Sequence, residues 1–198
     1  ASNIEITVEA NPSSTETQRL ASFKSTGINR ISVGAQSLDP KNLSFLGRSH
    51  SSQDIYNALN KAMGLFKHVS ADFMYGMPEQ TASGWIYELE QILQLGLSHI
   101  SAYQLTIEPG TQFYTRSKKG EILTCNEEIM ADLYELTTNM MSKKGLELYE
   151  VSNYAKPDAC CRHNLIYWNS QDWLGIGPGA HGRFTCLLYT SPSPRDTN

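Results

Sequence analysis

Residues 30–36, Arg-Ile-Ser-Val-Gly-Ala-Gln, constrain this chain more than any other stretch. Their character alternates with period two, as in a β-strand. Ile31, Val33 and Ala35 fall on one face, and Ser32, Gly34 and Gln36 on the other. A strand that is greasy on one side and small and polar on the other fits a barrel wall. Its apolar face meets outer helices, and its polar face borders a lumen holding something other than side chains. Gln36 ends the strand at a Ser-Leu-Asp-Pro break, and parallel α/β barrels place their ligands at such ends. Arg48 and His50 follow and return donors toward the same mouth. Taken alone, the segment is better explained by a buried glutamine capping its own strand.

Three further strands shift that balance. Residues 5–10 place Glu9 near a C-terminal strand end. Residues 68–76 place Asp72 opposite Val69, Ala71 and Phe73, and residues 99–107 place Gln104 and Thr106 on one face. One polar residue late in each of four successive strands predicts a site.

Helical patterns separate these strands. Ser14 or Thr15 is expected to cap a helix carrying Leu20 and Phe23 and stopping at Gly27. Ile55, Leu59 and Met63 mark a second helix, and Trp85, Leu89 and Ile92 a third. Strand and helix alternate at about thirty residues per unit, which right-handed crossovers pack as a parallel sheet covered by helices. An open doubly wound sheet is the alternative. Its strands are greasy on both sides, so the polar faces favour a barrel.

Residues 110–124 read as a looser stretch. Asn126 is expected to cap a long helix with Ile129, Leu133, Leu136 and Met140 as its buried stripe. Glu127 and Glu128 at its start and Lys143 and Lys144 at its end suit the helix dipole. Leu148–Val151 reads as a strand and Ser152–Pro157 as a loop. Aromatic residues, glycines and histidines then crowd residues 160–183, and the tail 185–198 has neither periodicity nor core and is expected to be unstructured and foreign.

Composition narrows the function. A net charge of −4 and a pI near 5.7 give no electrostatic footprint for nucleic acid or an anionic membrane. No apolar run approaches the roughly 18 residues of a membrane span. Cys125, Cys160, Cys161 and Cys186 lack disulfide-framework spacing and read as reduced thiols, which predicts a cytoplasmic protein. The chain opens at Ala1 with neither a methionine nor a signal peptide and is expected to be a cut piece.

Cys160, Cys161, His163 and His181 invite zinc, but adjacent cysteines rarely both ligate one tetrahedral ion. Residues 175–179, Gly-Ile-Gly-Pro-Gly, resemble a dinucleotide loop but carry a proline and lack the downstream acid. His163, followed by Tyr167 and Trp168, offers an imidazole to iron or to proton transfer. On physics alone a histidine packed beneath two aromatic rings is the better account. No strand carries the lysine that a barrel lyase or aldolase needs.

The segments VEANPSSTE, INRISVGAQSLDPKNLSFLGRSHS, DFMYGMPEQT, YQLTIEPGT, YEVSNYAKP, CRHNLIYW and GIGPGAHGR resemble radical S-adenosylmethionine proteins related to oxygen-independent coproporphyrinogen III oxidase. They are most similar to the haem-chaperone branch, HemW, and the likeness runs from about residue 3 to residue 184. It implies a partial (β/α)₆ barrel over 1–124, the start of an α+β C-terminal domain over 125–184, and a foreign tail over 185–198. It also implies S-adenosylmethionine beside a [4Fe–4S] cluster, with Glu9, Gln36, Arg48 and Asp72 as contacts and Thr106 as a further one. The HNLIYW stretch implies haem binding through His163.

The implied function is haem binding and transfer to a haem-receiving protein, with peripheral contact to membrane proteins and a homodimer as further expectations. The alternative is the oxidase, which decarboxylates two propionates of coproporphyrinogen III. The CxxxCxxC cluster loop of the resembled family is absent and is expected upstream of residue 1. This polypeptide is therefore expected to generate no radical alone.

Overall fold

The structure, a computed structural model, describes residues 4–177 and 180–185. The chain begins with strand β1 (Thr7–Ala10), a 3₁₀ turn (Pro12–Ser14) and helix α1 (Thr17–Ser25). Thr15 does not cap α1. Its hydroxyl donates to the Pro12 carbonyl at 2.7 Å inside the 3₁₀ turn, and Glu16 occupies the N-cap position. Strand β2 (Arg30–Gln36) leads into a short helix α2 (Pro40–Phe45), where Pro40 occupies a first-turn position that needs no N–H. Asp39 caps α2 by accepting from Lys41 N at 2.7 Å. Helix α3 (Ser52–Leu65) starts at a Ser51/Asp54 capping box and precedes β3 (His68–Tyr75). Helix α4 (Ala82–Gln94), capped by Thr81, precedes β4 (His99–Gln104).

Helix α5 (Gln112–Lys118) lies within the stretch that pattern alone leaves irregular. It has no buried residue, so it offers no amphipathic stripe to read. Thr111 caps it, and Arg116 on its last turn lies over the Phe45 and Phe113 rings. Helix α6 (Glu127–Ser142) follows, capped by Asn126 as expected. Strands β5 (Glu147–Glu150) and β6 (Asn153–Ala155) form a hairpin. Residues 153–155, expected in a loop, are a strand because they pair antiparallel with β4, Ile100 opposite Tyr154 and Ser101 opposite Asn153. Three residues are too few to show alternation.

The six strands form one sheet in the order β1-β2-β3-β4-β6-β5, with the first four parallel. Ile31, Val33, Ala35, Val69, Ala71, Phe73, Tyr75, Ile100 and Ala102 are buried on its apolar face. They share one core with Leu20 of α1, Ile55 and Leu59 of α3, Trp85, Leu89 and Ile92 of α4, and Leu133 and Met141 of α6. The arrangement is mixed α/β with a parallel-dominated sheet, greasy toward its helices, as the β2 pattern predicts. Burying aromatic Trp85 required a partner for its N–H, and Thr137 of α6 accepts it at 2.7 Å.

Two compact units meet the eye, divided between Ala159 and Cys160. The boundary expected at 124/125 falls inside the first unit, because α6 and the β5–β6 hairpin complete its core and sheet. The second unit contains helix α7 (Arg162–Trp168) and an antiparallel bridge between Trp173 and Arg183. Cys186 and the rest of the expected tail, 186–198, lie outside the described residues, as do residues 178 and 179 of the glycine-rich motif. No helix among the described residues is long and apolar enough to cross a membrane.

Candidate functional site

Parallel register stacks like side chains into rows across the sheet's other face. Glu9 stands beside Ser32, Ser32 beside Ser70, Ser70 beside His99, and Asp72 beside Ser101. The N-terminal end of this face is closed by Arg30, which is 2% exposed. Its Nε meets Glu5 Oε2 at 3.0 Å, Nη1 donates to Ser70 Oγ at 3.3 Å, and Nη2 donates to the Ala159 carbonyl at 3.0 Å. His99 lies nearby, its Nε2 2.7 Å from the Tyr149 hydroxyl. Burial first, and the Arg30 charge second, push its pKa down to about 3, so this imidazole is neutral.

Further along the strands the face is small and polar, centred on Asp72. Ser32 Oγ lies 3.0 Å from Asp72 Oδ2 and 3.2 Å from Oδ1. Desolvation pushes the Asp72 carboxyl above its ordinary range; Ser101 and Ser32 oppose the shift, and the Glu9 charge adds to it. Ser101 Oγ also lies 2.7 Å from Asn153 Oδ1, so Asn153 shares this hydroxyl with the Asp72 site. Tyr103, next on this face, has its hydroxyl 3.5 Å from Asn153 Nδ2. A half-buried carboxylate supported by serine hydroxyls is incompletely solvated, a condition that favours a ligand offering hydroxyls or an amine.

Gln36 closes β2 in an unusual way. Its φ is 72°, in the left-handed region, and Ser37 N donates across it to the Ala35 carbonyl at 3.0 Å. Such a γ-type turn at a non-glycine residue stores on the order of 1–3 kcal/mol of strain and marks functional sites more often than packing sites. The same distortion shifts the β2–β3 register between Val33 and Gln36. The Gln36 side chain folds over Gly34: its Nε2 lies 3.1 Å from where a Gly34 Cβ would stand, with the Ala10 carbonyl and Asn11 Oδ1 each at 3.9 Å. Glycine at position 34 therefore keeps this pocket wall clear, and the ends of β1 and β2 border one space.

The structure thus gathers Glu9, Gln36 and Asp72, joined by Ser32, at one rim. Gln104 is the correction. It alternates with Ile100 and Ala102, onto the side opposite Asp72, and the polar residues that β4 supplies to the site face are Ser101 and Tyr103. Arg48 and Thr106 occupy exposed positions after α2 and β4, and the Thr106 hydroxyl reaches its own strand end at the Gln104 carbonyl, 3.4 Å away. Ser101, Tyr103 and Asn153 were missed by sequence reasoning. The phase of β4 would have identified the first two, whereas Asn153 depends on an antiparallel pairing with no local signal.

In the second unit, His163 belongs to a ring cluster centred on Trp173. Centroid separations from Trp173 are 5.7 Å to His163, 4.6 Å to Tyr167 and 5.3 Å to His181. The Trp173 indole N–H donates to the His181 carbonyl at 3.0 Å. In the same unit Leu165, Trp168, Leu174, Ile176 and Phe184 are exposed apolar residues, as is Tyr167 of the cluster. His163 therefore packs against the Tyr167 and Trp173 rings within a unit that exposes several apolar side chains.

The polar sheet face has the donor set that a nucleoside-bearing ligand such as S-adenosylmethionine would need: the desolvated Asp72 carboxylate for hydroxyls and the Gln36 amide over Gly34. The residues present do not fit an iron–sulfur cluster. Cys125 belongs to the first unit and Cys160 and Cys161 to the second, and no metal-holding group of three or more His, Cys, Asp or Glu exists among the described residues.

Comparison with known proteins places this geometry. Residues 1–92 match the radical SAM superfamily. The chain is 42% identical over 181 residues to "Radical S-adenosyl methionine domain-containing protein 1, mitochondrial" of Bos taurus, covering 91% of this chain and 41% of that protein. It is 39% identical over 186 residues to "Heme chaperone HemW" of Escherichia coli K12, covering 93% and 48% respectively. The chain therefore spans less than half the length of these relatives. In fold it is similar to the coproporphyrinogen III oxidase of Escherichia coli, described as a radical SAM enzyme, with a TM-score of 0.75 at 21% identity, over 92% of this chain and 45% of that one. Residues 1–92 thus carry a radical SAM domain, and over nine-tenths of its length the chain is about two-fifths identical to proteins named Heme chaperone HemW.

Proposed function

We propose that this chain is part of a HemW-like haem chaperone, in which the polar sheet face binds S-adenosylmethionine and His163 binds haem for delivery to an acceptor protein. The observation that carries the reading is the second unit. The likeness to proteins named haem chaperones extends through His163, and that histidine lies against the Tyr167 and Trp173 rings in a unit that exposes apolar side chains, a character suited to a flat porphyrin.

In the first unit Glu9 and Asp72 accept hydroxyl protons of the nucleoside, and Gln36 offers its amide from above Gly34. Arg48 pairs with the methionyl carboxylate as a charge-assisted contact, and Thr106 donates from the end of β4. When bound beside a reduced iron–sulfur cluster, S-adenosylmethionine supplies one-electron chemistry. The ligands of a [4Fe–4S] cluster are proposed to lie in residues of the protein outside this chain. The compartment is the cytoplasm of a bacterium or, by likeness to the relatives named mitochondrial, the mitochondrion. The same reading has the protein contact membrane proteins peripherally and form a homodimer. The alternative reading is the coproporphyrinogen III oxidase reaction, favoured by the fold it shares with that enzyme.

Hemin titration followed by Soret absorbance tests the haem reading. The 198-residue chain is expected to bind saturably, and His163→Ala, folded by circular dichroism, to bind about tenfold more weakly. Equal binding by both removes His163 from the site, and no binding by either overturns the chaperone reading.

A further inference from the structure

Glu88 lies where a carboxylate is least comfortable. It sits on the buried stripe of α4 with Trp85, Leu89 and Ile92 and is 5% exposed. Among the described residues no basic side chain is hydrogen-bonded to it; instead its Oε1 reaches across to the loop after β2. That oxygen accepts from Ser37 Oγ at 2.5 Å and from Leu38 N at 2.6 Å. Ser37 Oγ itself accepts from Asp39 N at 3.1 Å, so its single proton is given to Glu88. On the other side of the turn, His50 Nε2 lies 3.1 Å from the Ala35 carbonyl, which also accepts Ser37 N. His50 is buried too. Burying a carboxylate in an apolar stripe is costly, and burial raises its pKa. Packing alone would be better served by leucine at position 88.

The groups held this way are those flanking Gln36, whose left-handed φ an ordinary residue leaves unless its surroundings fix it. We infer that Glu88 is a positioning residue for the cofactor rim: by gripping Ser37 and Leu38 from α4, with His50 on Ala35, it holds the Gln36 turn so that the Gln36 amide lies over Gly34. This rests on the proposal that the polar sheet face takes S-adenosylmethionine. It adds a residue that touches no ligand and acts through Gln36.

The experiment uses the 198-residue chain in four forms: the parent, Glu88→Ala, Glu88→Gln and Thr137→Val. Thr137→Val removes the hydroxyl that accepts the Trp85 N–H and so perturbs α4 and α6 without touching the turn. Two readouts are taken. One is the Gln36 side-chain amide resonance in the ligand-free protein, assigned with Gln36→Asn. The other is calorimetric binding of S-adenosylhomocysteine, which needs no cluster.

Glu88→Ala is expected to move the Gln36 amide resonance and weaken binding about tenfold, while Glu88→Gln, which keeps an acceptor oxygen, stays within about threefold of the parent. Thr137→Val is expected to lower the melting temperature and change neither readout. An unmoved Gln36 resonance in a folded Glu88→Ala, or an equal change in Thr137→Val, overturns the inference. Absence of S-adenosylhomocysteine binding by the parent overturns the cofactor reading instead, and the resonance still decides whether Glu88 sets the turn.

Discussion

Asp72→Asn is expected to make the protein more stable at pH 7 and at the same time about tenfold or more weaker toward S-adenosylhomocysteine, the loss of one hydrogen bond to a charged group. Both effects follow from one carboxylate. Its pKa in the folded chain is raised above the ordinary 3.8 by desolvation, with the Glu9 charge adding to the rise. Between the unfolded and folded values the native state therefore binds more protons than the unfolded one, and stability falls as pH rises through that window. An amide in the same place carries no such cost and still accepts the Ser32 hydroxyl. Urea unfolding of both proteins across pH 4–8, paired with calorimetric titration, reads the two effects separately. A carboxylate kept for structure would give the opposite pattern, a less stable Asp72→Asn with unchanged binding.

Arg30→Ala is expected to destabilise the fold by about 3–5 kcal/mol, the scale for removing one partner from a buried ionic group. Three attachments are lost together. Glu5 before β1, Ser70 on β3 and the carbonyl of Ala159 all bond to this one guanidinium. The second loss is volume, because Arg30 is among the largest fully buried side chains. Arg30→Met restores much of that volume and replaces a charged group by an apolar one, so it is expected to cost less than the alanine variant. Equilibrium denaturation of the three proteins checks the order. An alanine variant as stable as the parent would show that the closed end of the polar face contributes nothing.

The sequence made the layering legible because it depends on period alone. Val33 and Ala35 against Ser32 and Gly34 in β2, and Ala71 and Phe73 against Asp72 in β3, each declare which side meets helices. What failed was phase where a strand's polar residues crowd its end. Gln104 is the last residue of β4 and looked like a counterpart of Asp72, yet Ser101 is its register partner. A polar residue at a strand end is free to face solvent on the helix side, so lateness in the strand alone does not identify the lumen.

Short elements were illegible for a related reason. Residues 153–155 form a strand through pairing with β4, and α5 buries nothing, so neither leaves a periodic trace. Glu88 was hidden by its company: within a Trp85, Leu89 and Ile92 stripe a glutamate reads as an outward residue displaced by one position, and only the loop it reaches explains it. His50 was noticed as a donor near the mouth; its buried contact is with the backbone of the Gln36 turn.

On the proposed reading the polar side of the parallel sheet, and no other surface of the first unit, receives the nucleoside. Titrating S-adenosylhomocysteine into ¹⁵N-labelled protein distinguishes this face from the rest of the unit. The expected result is saturable shifts confined to the amides of residues 9–11, 32–37, 72–74 and 101–103, where β1 to β4 border the Asp72 rim. Shifts that instead map to the helix-covered side, on α3, α4 and α6, or a spectrum unchanged at saturating ligand, would contradict it.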